Sequence, residues 1–184
     1  MNFIETSLSG AFVIEPSPVG DDRGSFARVF CSRTFEEAGL VGKFVQTNHA
    51  KTITAGTIRG LHYQIQPHAE VKLLRCTRGK IYDVIVDVRQ VSPTFLHWHG
   101  QQLTESNGTM IYVPQGFAHG YQALTDGAEV TYQSSCEYSP ESERRVRFDD
   151  PRVGIKWKHE LCEVSPKDAA TEYLLESFSG INVQ

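Results

Sequence analysis

His62 lies in the stretch IRGLHYQ, Ile58 to Gln64, with Arg59 three positions before it. Its imidazole is the side chain best able to take and return a proton near neutral pH. A base that works on carbon needs an acid facing it and a cation where negative charge develops. Tyr132 and Tyr138 offer phenols on and beyond a candidate strand that follows the PQGFAHG turn, and Lys72, Arg59 and Arg23 offer the cation. The chemistry these types suit is proton transfer. Each also has a plain structural reading. A strand histidine is commonly satisfied by its neighbours, strand tyrosines commonly pack, and Asp168 by itself reads as a capping acid. Spacing does not show that the groups converge, so both readings stay open at this level.

The elements that must position them are mostly strands. GKIYDVIVDVR alternates Val84, Val86 and Val88 with Asp83, Ile85 and Asp87, the period of a strand with two different faces. EVKLLRCTRG sets Val71, Leu73 and Arg75 on one face and Lys72, Leu74 and Cys76 on the other, and the turn TRGK joins the two strands. TMIYVPQGFAHGYQAL reads as strand, Pro-Gly turn and strand. In AEVTYQSSCEY, Val130, Tyr132 and Ser134 share a face. Two helices are predicted. SRTFEEAGL has Thr34 as N-cap and Gly39 as stop, and SPKDAATEYLLESF opens with Ser165, a proline at the first helical position, and Asp168 three residues after the serine.

With 184 residues, 40% of them hydrophobic, the chain is long enough for one substantial core and reads as a single domain over 1–184. Dominant strands, frequent turns and short helices near the ends give an all-β antiparallel barrel or jelly roll. A formal charge of -4 gives no basic face for nucleic acid, and no apolar run approaches a membrane span. The start lacks a basic, then apolar, secretory leader. Cys31, Cys76, Cys136 and Cys162 are scattered without CxxC spacing, which suits free thiols in a reducing cytoplasm.

A metal is the other way to use histidines on a barrel. His62, Gln64 and His119 are spaced somewhat like the ligands of metal-binding cupins, which use a His-x-His pair, a nearby Glu and a distant His. Gln64 stands where the second imidazole belongs and is a poor ligand, and Glu70 falls one or two positions too far along. His97 and His99 in HWH read as an exposed pair. No metal is expected.

Assembled in order, GDDRGSF, FVQTNHA, TIRGLHYQ, KLLRCTRGKIYDVIVDVR, SPTF, YVPQGFAHGYQ, YSPESER, DDPRVGIKW and SPKDAA resemble the dTDP-4-dehydrorhamnose 3,5-epimerase (RmlC) family across nearly the whole chain. The resemblance implies a cupin-type double-stranded β-helix (jelly roll), a homodimer and no cofactor. It implies inversion of the carbons on either side of the ketone in a nucleotide-diphosphate 4-keto-6-deoxyhexose. On matching positions it implies His62 as base, Asp168 as the acid that orients it, Tyr132 as the opposing proton donor and Lys72 at the enolate oxygen. It implies Arg23 and Arg59 at the diphosphate, Tyr138 stacked on the base, and Gln46, Asn48, His119, Glu143 and Lys167 as further substrate contacts. Arg28 belongs to the same nucleotide site but stands where the family commonly has Glu. Thr47 replaces the usual Asp of VQDN, and GIKWKHE lacks the proline that often follows the tryptophan. Close relatives act at one carbon only or on other nucleotide sugars, such as CDP- or GDP-linked ones, and the motifs do not separate these cases.

Overall fold

The computed structural model describes residues 1–183. Thirteen strands and two short helices follow in order: β1 (Asn2–Glu5), β2 (Phe12–Glu15), β3 (Val19–Asp21), β4 (Gly24–Phe26), α1 (Ser32–Glu37), β5 (Gln46–Thr52), β6 (Ile58–Gln64), β7 (Lys72–Arg78), β8 (Lys80–Asp87), β9 (Trp98–Thr104), β10 (Met110–Val113), β11 (Phe117–Ala123), β12 (Ala128–Ser134), β13 (Glu143–Arg145) and α2 (Pro166–Ala169). One sheet runs β1-β2-β10-β7-β12-β5, the other β13-β6-β11-β8-β9, and β3-β4 form a separate hairpin. The named strand pairs are antiparallel, and from β5 onward the chain repeatedly changes sheet between successive strands. That is the cupin-type jelly roll, all-β as expected.

The alternation seen in the sequence sorts residues between the inside and outside of this barrel. On β7, Leu74 and Cys76 enter the central core with Ile81 and Ile85 of β8 and Val130 of β12, whereas Leu73, and Val71 just before the strand, pack outside with Phe35. Strand β8 is buried on both faces: Ile81 and Ile85 point into the barrel, while Tyr82, Val84 and Val86, with Val88 just past its end, meet the C-terminal segment. Asp83 and Asp87 are fully buried on the inner face; Asp83 meets a ring nitrogen of His119 through Oδ2, its Oδ1 making no hydrogen bond, and Asp87 is fully partnered. Asp87 takes Nε and Nη2 of Arg89 and the hydroxyls of Ser92 and Thr94.

Both helices differ from expectation. The N-cap of α1 is Cys31, without a side-chain bond, and Thr34 lies inside the helix. Ser32 gives its hydroxyl to the Gly42 carbonyl at 2.6 Å, and Phe35, fully buried, packs edge-on to Phe3; the start follows the packing of Phe35 rather than a cap. Gly39 does stop the helix, at φ +75. Helix α2 begins as predicted, Ser165 Oγ accepting from the Asp168 amide, but ends at Ala169 instead of running to Phe178. The guanidinium of Arg147 takes the carbonyls of Ala169 and Thr171, and Asp150 takes the Leu174 amide at 2.7 Å. Those partners satisfy the backbone without further helical turns and leave Leu174 and Phe178 to pack on the outer core.

Candidate active site

Strand β6 and strand β11 are neighbours, and His62 stands directly opposite His119. Two glycines make this possible. A Cβ on Gly60, whose φ is +126, would lie 2.6 Å from Cα of Gly120. The ladder shifts register between His119 and Tyr121. Strict alternation would send residues 59 and 62 to opposite faces; the irregularity lets Arg59 and His62 line the same pockets.

His62 reaches Asp168 from the start of α2. Nε2 lies 2.6 Å from Oδ1 of the carboxylate, whose side chain is 5% exposed. Burial would push Asp168 up, but the hydrogen bond and charge of His62, with Ser165 and the Gly60 amide, hold it below the usual carboxylate range. An ionised carboxylate accepts, so in the neutral ring that acts as base Nε2 carries the proton and Nδ1 the lone pair. Arg145, opposite His62 on β13, brings Nε to 3.4 Å of the same Oδ1 and pairs with Glu143 through its guanidinium.

Three pockets meet at His62. One, of about 230 Å³, is walled by Gln46, Asn48, Lys72, Tyr132, Tyr138 and Glu143. Period two on β5 turns Gln46 and Asn48 inward and Thr47 outward, so the Thr47 departure lies on the other face of the sheet. Gln46 links this wall together, its amide NH2 donating to Asn48 Oδ1 and its oxygen accepting from the Tyr138 amide, both at 3.1 Å. Lys72 and Tyr132 come from neighbouring strands, and burial, then the charge of Glu70, push the Tyr132 phenol up. His119 is held by Asp83, Nε2 to Oδ2 at 2.8 Å, and lines the second pocket with Arg59 and Tyr132. The third holds Arg59, Arg145, Lys167 and Asp168. Arg59 is steadied by Thr52 Oγ1 at 3.1 Å and the Lys51 carbonyl at 3.0 Å.

Two residues of the expected set stand apart. Arg23 and Arg28 line none of these three pockets. Arg23 sits on the exposed β3-β4 hairpin, its guanidinium turned onto Asp21 at 2.5 Å, and Arg28 is exposed just after it. The hairpin is a sheet of its own, so it does not carry them inward.

Gln64 is spent on the backbone. Its NH2 donates to the carbonyls of His68 and Glu137, and its oxygen accepts from the Ser139 amide at 2.6 Å. Among the described residues no three His, Cys, Asp or Glu side chains gather as a metal site. His97 is exposed as expected, but His99 is half-buried, and burial lowers its ring despite the nearby Asp83 charge. Reasoning from sequence missed Asp83, Arg145 and Glu70. The alternation 70, 72, 74 leading into β7 was the available signal for Glu70, and an aspartate in the middle of the apolar β8 was the signal for Asp83.

The family model described as dTDP-4-dehydrorhamnose 3,5-epimerase matches residues 5–176. A dTDP-4-dehydrorhamnose 3,5-epimerase of Shigella flexneri is 43% identical over 169 residues, covering 91% of this chain and 93% of the relative. The crystal structure of dTDP-6-deoxy-D-glucose-3,5-epimerase from Legionella pneumophila, in complex with dTDP-4-keto-L-rhamnose, superposes with TM-score 0.91 at 37% identity, covering 100% and 98% of the two chains. A 3'-monoepimerase from Streptomyces bikiniensis, in complex with dTDP-quinovose, gives TM-score 0.79 at 32% identity over 96% of this chain and 85% of that one.

Proposed function

This chain belongs to the dTDP-4-dehydrorhamnose 3,5-epimerase family, and from that premise we propose that it inverts C3 and C5 of a dTDP-linked 4-keto-6-deoxyhexose using its side chains alone. The observation that carries the reading is the His62–Asp168 pair at 2.6 Å, lying where the pockets holding Lys72 and Tyr132 meet.

The ketone acidifies the hydrogens on its neighbouring carbons. His62 takes one through Nδ1, the C–H bond breaks, and its electron pair passes to the ketone oxygen as an enolate. Asp168 holds the tautomer and stabilises the imidazolium. Lys72 faces the enolate oxygen with a positive charge already in place. Tyr132 then gives its proton to carbon from the opposite face, which inverts the centre. Burial and Glu70 keep this phenol protonated, as a donor must be. Arg59 holds the diphosphate, where guanidinium forks match phosphate oxygens, and Arg23, outside the pockets of its own chain, joins it from a second subunit. Tyr138 stacks on the base, Gln46, Asn48, His119, Glu143 and Lys167 make further contacts, and Arg28 reaches the nucleotide on the same second-subunit segment as Arg23. The reading takes 1–184 as one domain, working in the cytoplasm as a homodimer. Val19 and Phe26, 75% and 72% exposed on the Arg23 hairpin, favour a second subunit that covers them. No described helix is long and apolar enough to cross a membrane.

The similarity to the Streptomyces bikiniensis 3'-monoepimerase favours inversion at one carbon as the second reading. One experiment separates them. Incubation with dTDP-4-keto-6-deoxyglucose in deuterated water places deuterium at both C3 and C5 for the double epimerase and at one carbon for the single. No exchange at either, with this or with CDP- and GDP-linked ketosugars, refutes the proposal.

A further inference from the structure

The wall of the first pocket carries a carboxylate, Glu70, that the chemistry above uses only for its charge on Tyr132. Glu70 lies two residues before Lys72, with its side chain 12% exposed. Oε1 stands 3.0 Å from Nζ of Lys72, and Oε2 accepts the hydroxyl of Ser134. Ser134 is the residue directly opposite Lys72 in the β7-β12 ladder. The next residues lock the same place: the Val71 amide donates to Ser135 Oγ at 2.8 Å, and the Ser135 amide donates to the Val71 carbonyl at 3.0 Å. One oxygen of the carboxylate is therefore tied to a buried serine on the neighbouring strand while the other holds the ammonium. A free lysine is a point charge on a flexible four-carbon stem. This one is fixed by its counter-charge, 3.5 Å from the carbonyl of His62.

We infer that Glu70 is a positioning residue, which through the chain Ser134–Glu70–Lys72 sets where the ammonium stands beside His62 and Tyr132. The inference rests on the epimerase reading, in which Lys72 meets the enolate and Tyr132 returns the proton. The charge of Glu70 has a second effect. Tyr132 faces Glu70 and Lys72 on the β7 side, Arg59 and His62 of β6, and His119 and Tyr121 of β11. Glu143 and Tyr138 line the outer part of its pocket, and β5 places the uncharged Asn48 opposite. After burial itself, Glu70 is the leading cause that pushes this phenol up; Tyr121 adds to it and Arg59 opposes it. One carboxylate thus acts on both partners of the base, by geometry on the lysine and by charge on the tyrosine.

Two variants separate these effects. Glu70→Gln keeps the shape and removes the charge, and Glu70→Asp keeps the charge and shortens the arm. Their kcat and KM for dTDP-4-keto-6-deoxyglucose are followed across the alkaline range, beside the unaltered protein and with the thermal midpoint of each. In Glu70→Gln the alkaline limb, set by loss of the Tyr132 proton, moves to lower pH, and kcat falls while KM changes little. In Glu70→Asp the limb returns to its original place and kcat stays reduced. A limb and kcat unmoved in Glu70→Gln, or a lowered thermal midpoint as the sole change in both variants, overturns the inference. If Glu70→Gln does not fold, Glu70→Asp decides: a lowered kcat at unchanged KM supports positioning, and an unchanged kcat overturns it. Absence of turnover and of solvent exchange in the unaltered protein instead overturns the epimerase reading itself.

Discussion

Nε2 of His62 lies 2.6 Å from Oδ1 of Asp168, across 106 residues of chain. Strand β6 brings the imidazole and the first turn of α2 brings the carboxylate, so neither element alone makes the pair. Replacing His62 with Ala removes the base without touching the arginines. Deuterium incorporation at both carbons is expected to fall by on the order of 10²- to 10⁴-fold, with dTDP affinity nearly unchanged. Exchange at a near-normal rate in this variant would falsify the assignment of the base.

Asp168→Asn tests the carboxylate on two scales. Its folded value lies below the ordinary 3.8, so its stabilising effect is complete above that pH and is lost as pH falls through the lower folded value. The Asn variant is expected to lose that acid-range slope in chemical denaturation. Its kcat should drop by on the order of 100-fold or more, because the amide can no longer stabilise an imidazolium. An unchanged slope would mean that the depressed value has another origin.

Much of this site was legible before the structure, and its gaps have physical causes. The alternation along β7 and β12 grouped Lys72 with Leu74 and Cys76, and Tyr132 with Val130 and Ser134; which of the two faces the barrel encloses came from the structure. The capping pattern at Ser165 and Asp168 located the start of α2, where the Asp168 amide meets Ser165 Oγ and leaves the carboxylate to His62. Its length was not legible, since Arg147 and Asp150 satisfy the following backbone from far along the chain. The common face of Arg59 and His62 was hidden too. It depends on a register shift and on the contact of Gly60 with Gly120, both of which belong to strand pairing rather than to either strand. Arg23 matches the family motif and Arg28 departs from it, yet both stand on an exposed segment, because a short hairpin carries no burial pattern that aims what it holds.

Arg59→Lys is expected to weaken binding more than chemistry. The guanidinium is steadied by Thr52 and the Lys51 carbonyl, and a lysine keeps the charge but not the fork. KM for the nucleotide sugar should rise about 10-fold or more while kcat stays within a few-fold, the pattern of lost uniform binding. A fall in kcat at constant KM would place Arg59 at the reacting carbons instead of the diphosphate.

Prolonged dialysis against a strong chelator is expected to leave turnover unchanged, because Gln64, the position that matches a metal ligand elsewhere, is committed to the backbone at three points. Elemental analysis of the purified protein checks the same point. Stoichiometric iron, zinc or manganese, with activity that returns only when the metal is restored, would contradict a mechanism built on side chains alone.

Tyr132→Phe separates the two proton transfers. The ring sits in the core wall beside Leu74, so removing one oxygen leaves the packing of β12 intact. His62 and Lys72 still stand as before, and the first C–H bond still breaks. With no donor on the far face, the enolate takes its proton back from the imidazolium side. That imidazolium exchanges with solvent between the two events. The variant is therefore expected to wash deuterium into substrate whose configuration is retained, with inverted product lower by about 10²-fold or more. Nuclear magnetic resonance of the recovered sugar reads both quantities in one sample. Loss of exchange together with loss of inversion would make Tyr132 part of the first step, and the base and donor would then have to be reassigned as a pair.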